Sequence, residues 1–315
     1  MIQVLLFLWL GVALLILFAH KMARILIYFG IFSLVTSLCF LFLGAPDVAM
    51  AEAAISVFTT IFFIVCFEKY YNMGLDCCDN PADKPKNFAF LKNHAAPLFF
   101  VVILFALFMH FLPDNFVNTY LKDQYLAMFA LDVGGENAVT AIYLGYRVYD
   151  TLFEALMLVI AVVAVAHMSY FGASSIKDGK QSDILNSGLA IFTIRVICPM
   201  LLLFGVYLII NGQYTPGGGF QGGLAVAAFF ICRYLIYDIY DIRIDRVLKI
   251  EELIFASTII LAISVVFLGG AAYIPEAYLP LFQDIYLVIM NVLIGMKVAC
   301  AFFILFYRYI TIERR

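Results

Sequence analysis

Charged side chains are scarce in this sequence, making up 13% of its 315 residues, where ~25% is usual for a soluble domain. Apolar residues account for 65%, and the mean hydropathy is +1.02. A water-soluble chain of this size cannot hide so much apolar surface, because polar groups must cover its exterior. The same numbers exclude a disordered chain, a disulfide-stabilised scaffold and a nucleic-acid-binding protein. The sequence therefore predicts a polytopic membrane protein.

Nine apolar runs are long enough to cross a bilayer, whose hydrocarbon core of ~30 Å requires ~20 residues of helix. None of them alternates polar and apolar residues, which argues against a β-barrel. The first run lacks a basic start and a small-residue cleavage site, so we interpret it as a retained helix rather than a signal peptide. The predicted fold is all-α, with transmembrane helices at residues 2–19, 25–43, 47–67, 96–112, 151–168, 188–210, 220–237, 252–270 and 286–307.

Lysine and arginine are distributed unevenly among the connecting loops. Alternate loops carry 15 of the 19 basic residues, whereas the opposite set has only Lys122 and Arg147. The remaining two, Arg195 and Lys297, fall inside predicted helices. Because basic loops stay in the cytoplasm, this bias predicts an external N-terminus and a cytoplasmic C-terminus.

Polar segments at 68–95, 113–150 and 169–187 interrupt the apolar pattern. The first is predicted to be a cytoplasmic linker that contains Cys77 and Cys78. We expect these two cysteines to be reduced thiols, and the alternative is that they are ligands of a metal site. The second is predicted to be an external connection. The segments divide the chain into blocks of three, two and four helices, which predicts domains at residues 1–95, 96–185 and 186–315.

Ionisable residues inside membrane spans cost ~3 to ~17 kcal/mol, so each requires a partner or a hydrated cavity. Lys297 lies about eleven residues into the last run, roughly 16 Å deep at 1.5 Å per residue. A lysine at this depth is a protonatable relay, a gating charge or half of a buried structural ion pair. Arg195, in the sixth run, keeps its charge and suits a fixed countercharge.

Acidic residues mark two further predicted spans. Asp47 follows Pro46 at the start of the third helix, where the helix dipole stabilises a carboxylate. It is therefore either a simple helix cap or a candidate for the ion path. Glu52 lies deeper among alanines that allow close helix approach, and is a candidate for the ion path. Asp150 and Glu154 share one face of the fifth helix, so we expect a cation or proton between them or neutralisation of Asp150 by Arg147.

A glycine-rich external turn connects the sixth and seventh predicted helices without any charge. It is either a tight hairpin with close helix packing or a re-entrant segment that lines a hydrated path. It lacks the lysine of a phosphate-binding loop. Its candidate residues are Gln213, Pro216, Gly217, Gly218, Gly219, Gly222 and Gly223.

Two motifs in the last third, GQYTPGGGFQGG at 212–223 and NVLIGMKV at 291–298, resemble MrpB of the multisubunit Mrp-type Na⁺/H⁺ antiporters and its counterpart in membrane-bound hydrogenases. GAPDVAMAEAA at 44–54 and ENAVTAIYLGYRVYDTLFEA at 136–155 resemble the C-terminal part of MrpA, the large antiporter protein. The family usually has His at the position of Gln213 and often Asp at the position of Gly145, and this chain has neither. The chain looks like a fusion of small proteins that the hydrogenases keep separate.

The resemblance implies an ion-path subunit of a cation/proton antiporter complex in the inner cell membrane, with Na⁺ and H⁺ as transported ions. It places Glu52, Glu154 and Lys297 at motif positions. It implies no cofactor or metal on this chain, no enzymatic activity of its own, and other antiporter or hydrogenase membrane subunits as partners. One alternative is the same module in a redox-driven complex. The other is a structural spacer, which buried ionisable groups argue against.

Overall fold

The computed structural model describes residues 2–19, 22–71, 120–171, 188–237, 243–270 and 279–311, together with a few positions between 99 and 106. Within these ranges the regular secondary structure is entirely helical. The elements are α1 (Ile2–Phe18), α2 (Met22–Phe42), α3 (Pro46–Tyr71), α4 (Tyr120–Asp132), α5 (Ala138–Ala141), the π-helical turn π1 (Ile142–Tyr146), α6 (Val148–Phe171), α7 (Gly188–Asn211), α8 (Gly219–Tyr237), α9 (Ile244–Gly270) and α10 (Leu279–Thr311).

Eight of the nine predicted spans coincide with helices, namely α1 to α3 and α6 to α10. The predicted span 96–112 lies almost wholly outside the described residues, as do Cys77 and Cys78. Within the described residues, four helical stretches are long and apolar enough to cross a membrane by themselves: Arg24–Phe42, Val148–His167, Ile191–Asn211 and Leu281–Arg308. The total of nine helices and their orientation stay predictions.

The described part of the segment 113–150 is largely helical, and its external position stays a prediction. α4 is formed by residues of high helix propensity, including leucine, alanine, lysine, glutamine and methionine. Gly134 and Gly135, with φ of 88° and 78°, then turn the chain. The Asn137 side chain caps α5 by accepting a hydrogen bond from the Val139 amide at 2.9 Å. Helix propensity therefore explains α4, and the Asn137 cap explains the start of α5, neither of which hydrophobicity alone indicates.

The chain divides into two compact units, residues 1–74 with 127–315 and residues 75–126, and the site described below lies in the first. α10 forms the centre of this unit and packs against α3, α6, α7, α8 and α9. Leu287, Met290, Ile294 and Val298 recur every three to four residues and are buried, as expected for one face of a helix. α10 is therefore the element that positions the functional side chains.

Glycines bring α8 close to both of its neighbours. A Cβ atom at Gly222 would lie 2.6 Å from the carbonyl oxygen of Gly205 on α7. One at Gly223 would overlap the carbonyl oxygen of Gly295 on α10. Since small residues let membrane helices approach closely, these positions fix α8 between α7 and α10.

Candidate functional site

The buried carboxylate of Asp47 holds the turn between α7 and α8. Its Oδ1 accepts hydrogen bonds from Asn137 Nδ2 and from the Gly217 amide, both at 3.0 Å. Asn137 Nδ2 also lies 3.3 Å and 3.2 Å from the carbonyl oxygens of Gly212 and Thr215. Asp47 lies in the first turn of α3, as predicted for a cap, but it also joins three separate segments of the chain.

Backbone hydrogen bonds tie the same turn to the segment that leads into α5. The Glu136 and Asn137 amides both donate to the Gln213 carbonyl at 2.9 Å. Thr140 Oγ1 donates to the Gly212 carbonyl at 2.6 Å. Gly217 has φ of 143°, a conformation that favours glycine. The turn is thus a hairpin held both by backbone hydrogen bonds and by the side chains of Asp47, Asn137 and Thr140.

Asn291 links the hairpin to the central helix α10. Its Oδ1 accepts hydrogen bonds from Tyr143 Oη at 3.0 Å and from the Gly219 amide at 3.1 Å. Asn291 is completely buried, and its Nδ2 has no hydrogen-bond partner among the described residues. The same holds for Oε1 of Gln213, which is 3% exposed. The hairpin therefore brings two incompletely paired amide groups into the interior.

Of the other hairpin residues predicted from the sequence, Pro216 is exposed. The predicted glycines are all buried: Gly217, Gly218, Gly219, Gly222 and Gly223.

Lys297 forms a buried ion pair with a residue that the sequence analysis did not select. Its Nζ lies 2.6 Å from Oε1 of Glu251 on α9, and the two side chains are 0% and 2% exposed. The ammonium also lies 5.1 Å from the centre of the Phe255 ring, within cation–π range. Lys297 thus has a counter-ion in the interior, and its charge is compensated there.

A cleft of about 590 Å³ has both Lys297 and Glu154 in its lining. Tyr143, Thr151 and Gln221 add polar groups to a lining that is otherwise mainly apolar. Glu154 is on the exposed face of α6, whereas Lys297 is on the buried wall. The lining of the cleft therefore contains an accessible carboxylate and an enclosed lysine.

The remaining predicted ionisable residues lie apart from this cleft lining. Glu52 accepts a hydrogen bond from Ser33 on α2. Asp150 pairs with Arg147, as the spacing predicts, and both side chains are more than half exposed. Arg195 is exposed on α7. Among the described residues, no group of three or more His, Cys, Asp or Glu side chains is arranged to hold a metal ion.

Comparison with known families assigns two parts of the chain. Residues 189–304 match the model described as a domain related to the MnhB subunit of Na⁺/H⁺ antiporters. Residues 7–71 match the MbhD model, which describes one of the subunits of MBH. Over these two ranges the chain is similar to subunits of Na⁺/H⁺ antiporters and of MBH. The resemblance inferred from the sequence motifs is therefore confirmed.

Individual relatives of the chain are also subunits of membrane complexes. The antiporter subunit mnhA2 from several Staphylococcus aureus strains is 29% identical over 150 residues, which is 48% of this chain and 18% of the relative. A chain of the Mrp complex from Dietzia sp. DQ12-45-1b shares the fold, with a TM-score of 0.67 at 18% identity over 95% of this chain and 34% of that chain. A chain of the membrane-bound sulfane sulfur reductase, an archaeal respiratory membrane complex, aligns with a TM-score of 0.52 at 29% identity, over 68% of this chain and 96% of that chain.

Sequence reasoning missed Glu251, Asn137 and Asn291. Glu251 directly precedes the predicted span 252–270 and was therefore counted as part of a loop. The helical spacing could have indicated its burial, because Glu251 shares a helix face with Ile254 and Thr258, which are also buried. The two asparagines lie inside motifs that carry the family resemblance, but an uncharged side-chain amide gives little indication of its role.

Proposed function

We propose that this chain is the ion-path subunit of an Mrp-type Na⁺/H⁺ antiporter complex in the inner cell membrane, with its N-terminus outside and its C-terminus in the cytoplasm. The MnhB-related and MbhD-type regions support the assignment to such a complex. The observation that carries the ion-path role is the cleft between apolar helices whose lining includes both Glu154 and Lys297. Ionisable groups at membrane depth typically mark ion or proton paths.

The chemistry of the cleft suits a cation and a proton. The Glu154 carboxylate offers oxygen ligands to a hard cation such as Na⁺ and can be protonated in its place. Lys297 supplies a second titratable group on the opposite wall. Glu52 and Asp47 on α3, with Asp150 and Arg195, are the other candidate residues along the path. The chain itself would need no cofactor and would transport Na⁺ and H⁺ without catalysing a reaction.

The proposed partners are other membrane subunits of the complex. The relative mnhA2 is much longer than the part matched here, which is 18% of its length. The proton-translocating function of a complete antiporter would then be shared with further chains.

A second candidate is the ion-translocating subunit of a redox-driven complex. It is favoured by the match to a chain of the sulfane sulfur reductase complex, which is covered over 96% of its length. A purely structural spacer is disfavoured, because the burial of the charged Lys297 and Glu251 side chains is costly and a spacer has no function that requires it.

Purification of the assembled complex separates these candidates. An affinity tag after Arg315 allows gentle extraction in detergent, followed by mass spectrometry of the co-purifying chains and measurement of bound iron and nickel. We expect antiporter-like membrane subunits without metal. Iron–sulfur or hydrogenase-like subunits with metal would contradict this proposal and support the redox-driven complex. A chain that purifies without any membrane partner would contradict both.

A further inference from the structure

Lys297 binds one carboxylate and lines the same cleft as a second, more accessible one. Glu251 binds its ammonium directly at 2.6 Å and is 1% exposed. Glu154 lines the same cleft as Lys297 from α6 and is exposed at the chain surface. A lysine carries a point charge on a flexible four-carbon stem. Without its bond to Glu251, the ammonium would therefore be able to move within the cleft that Glu154 also lines.

Few other titratable groups face this lysine. Tyr143 on π1 lines the cleft, and Cys300 on α10 lies within electrostatic range of both Glu251 and Lys297. Asp47 and Glu154 both act electrostatically on Tyr143. α3 and α8 contribute alanine, isoleucine, phenylalanine and glutamine to the lining, and no ionisable side chain.

We propose that Glu251 is a positioning residue that holds the Lys297 ammonium away from Glu154 and thereby sets how tightly the cleft binds the transported cation. This inference rests on the proposed ion-path function. A charged Lys297 and a Na⁺ ion compete for the same Glu154 oxygens. While Glu251 binds the ammonium, Glu154 is free for Na⁺. Without Glu251, the tethered ammonium turns to Glu154 and displaces the ion.

The competition depends on pH in a defined direction. Only the protonated lysine competes with Na⁺, so a rise in pH that removes its proton also removes the competitor. The apparent Na⁺ affinity should therefore recover at high pH in a variant that lacks the Glu251 charge. A role of Glu251 in packing alone would give no such recovery.

The test measures the Na⁺ concentration for half-maximal transport, using purified complex in proteoliposomes at equal amounts of assembled protein. For Glu251→Gln we expect an increase of roughly tenfold near neutral pH, within the 5–150-fold range of coupled sites, and a return towards the wild-type value as pH rises. The matched control is Glu252→Gln, which changes the exposed neighbour on the same helix and should leave the value unchanged. An unaltered Na⁺ dependence in Glu251→Gln would overturn the inference.

Two further variants keep the test decisive if Glu251→Gln assembles poorly. In Glu251→Gln/Lys297→Arg the competing charge does not titrate, so the increased half-maximal Na⁺ concentration should persist at high pH; a recovery at high pH like that of Glu251→Gln would overturn the inference. In Glu251→Gln/Lys297→Gln the tethered cation is gone, and Na⁺ affinity should return to the wild-type value. If the wild-type complex itself shows no Na⁺-dependent transport, the proposed function fails together with the inference. If the wild-type complex shows Na⁺-dependent transport and Glu251→Gln has the same Na⁺ dependence, the inference alone fails.

Discussion

Asp47 and Lys297 are both buried charges of this chain, but their surroundings compensate them in different ways. Asp47 accepts hydrogen bonds from a backbone amide and an asparagine side chain. Lys297 meets an opposite charge at the end of another flexible side chain. The hydrogen-bond donors around Asp47 are held in place and cannot follow a carboxylate that moves. The flexible side chains of Lys297 and Glu251, in contrast, can separate and pair again. We therefore expect Asp47 to connect α3 rigidly to the α7–α8 turn, and the charge of Lys297 to be able to move.

The largest expected effect is that of Lys297→Met. Removing the lysine leaves Glu251 charged and buried without its counter-ion, which typically destabilises a protein by about 3–5 kcal/mol. Thermal unfolding of the purified complex in detergent measures this loss. The double variant Lys297→Met/Glu251→Leu should recover most of it, because an apolar pair needs no compensation. A single variant as stable as wild type would show that the pair does not hold charge in the interior.

Asp47→Ala is expected to have a smaller effect, of about 1–3 kcal/mol, because it leaves the buried Gly217 amide without an acceptor. Asp47→Asn keeps an oxygen at the same position and is the matched control, with a loss well below that of the alanine variant. The same unfolding assay compares the two. Equal losses for both would mean that the negative charge, and not the hydrogen bonding, stabilises the hairpin.

The smallest effect is expected for Arg147→Gln. The pair with Asp150 has side chains that are 63% and 52% exposed on this chain, and exposed pairs contribute about 0–1 kcal/mol. Unfolding of the isolated chain in detergent should therefore change little. A loss comparable to that of Lys297→Met would break the distinction between exposed and buried charge.

Much of the fold could be predicted from apolar runs, since a helix at membrane depth must be apolar and long. α10 is an example, because its predicted span 286–307 lies within Leu279–Thr311. α4 could not be predicted in this way, since its sequence mixes polar and apolar residues and forms a helix through propensity. Local patterns thus identify the apolar helices better than the connections.

The site could be predicted only in part, for a related reason. Glu154 and Lys297 were identifiable because an ionisable residue inside an apolar run is costly wherever it points. The partners of Asp47 lie 90 and 170 residues away along the chain, and helical periodicity carries no information about such distances. Glu251 was missed because a shift of one residue in the predicted start of a span moved it into a loop.

The most direct test of the ion-path role is the Na⁺ dependence of transport in Glu154→Gln. Wild-type and variant complexes are compared in proteoliposomes at matched amounts of assembled protein, with Glu136→Gln as a control for a change at another exposed glutamate. We expect Glu154→Gln to require a higher Na⁺ concentration for half-maximal transport, because a neutral amide binds a cation more weakly than a carboxylate. An unchanged Na⁺ dependence with normal assembly would remove Glu154, and the cleft it lines, from the ion path.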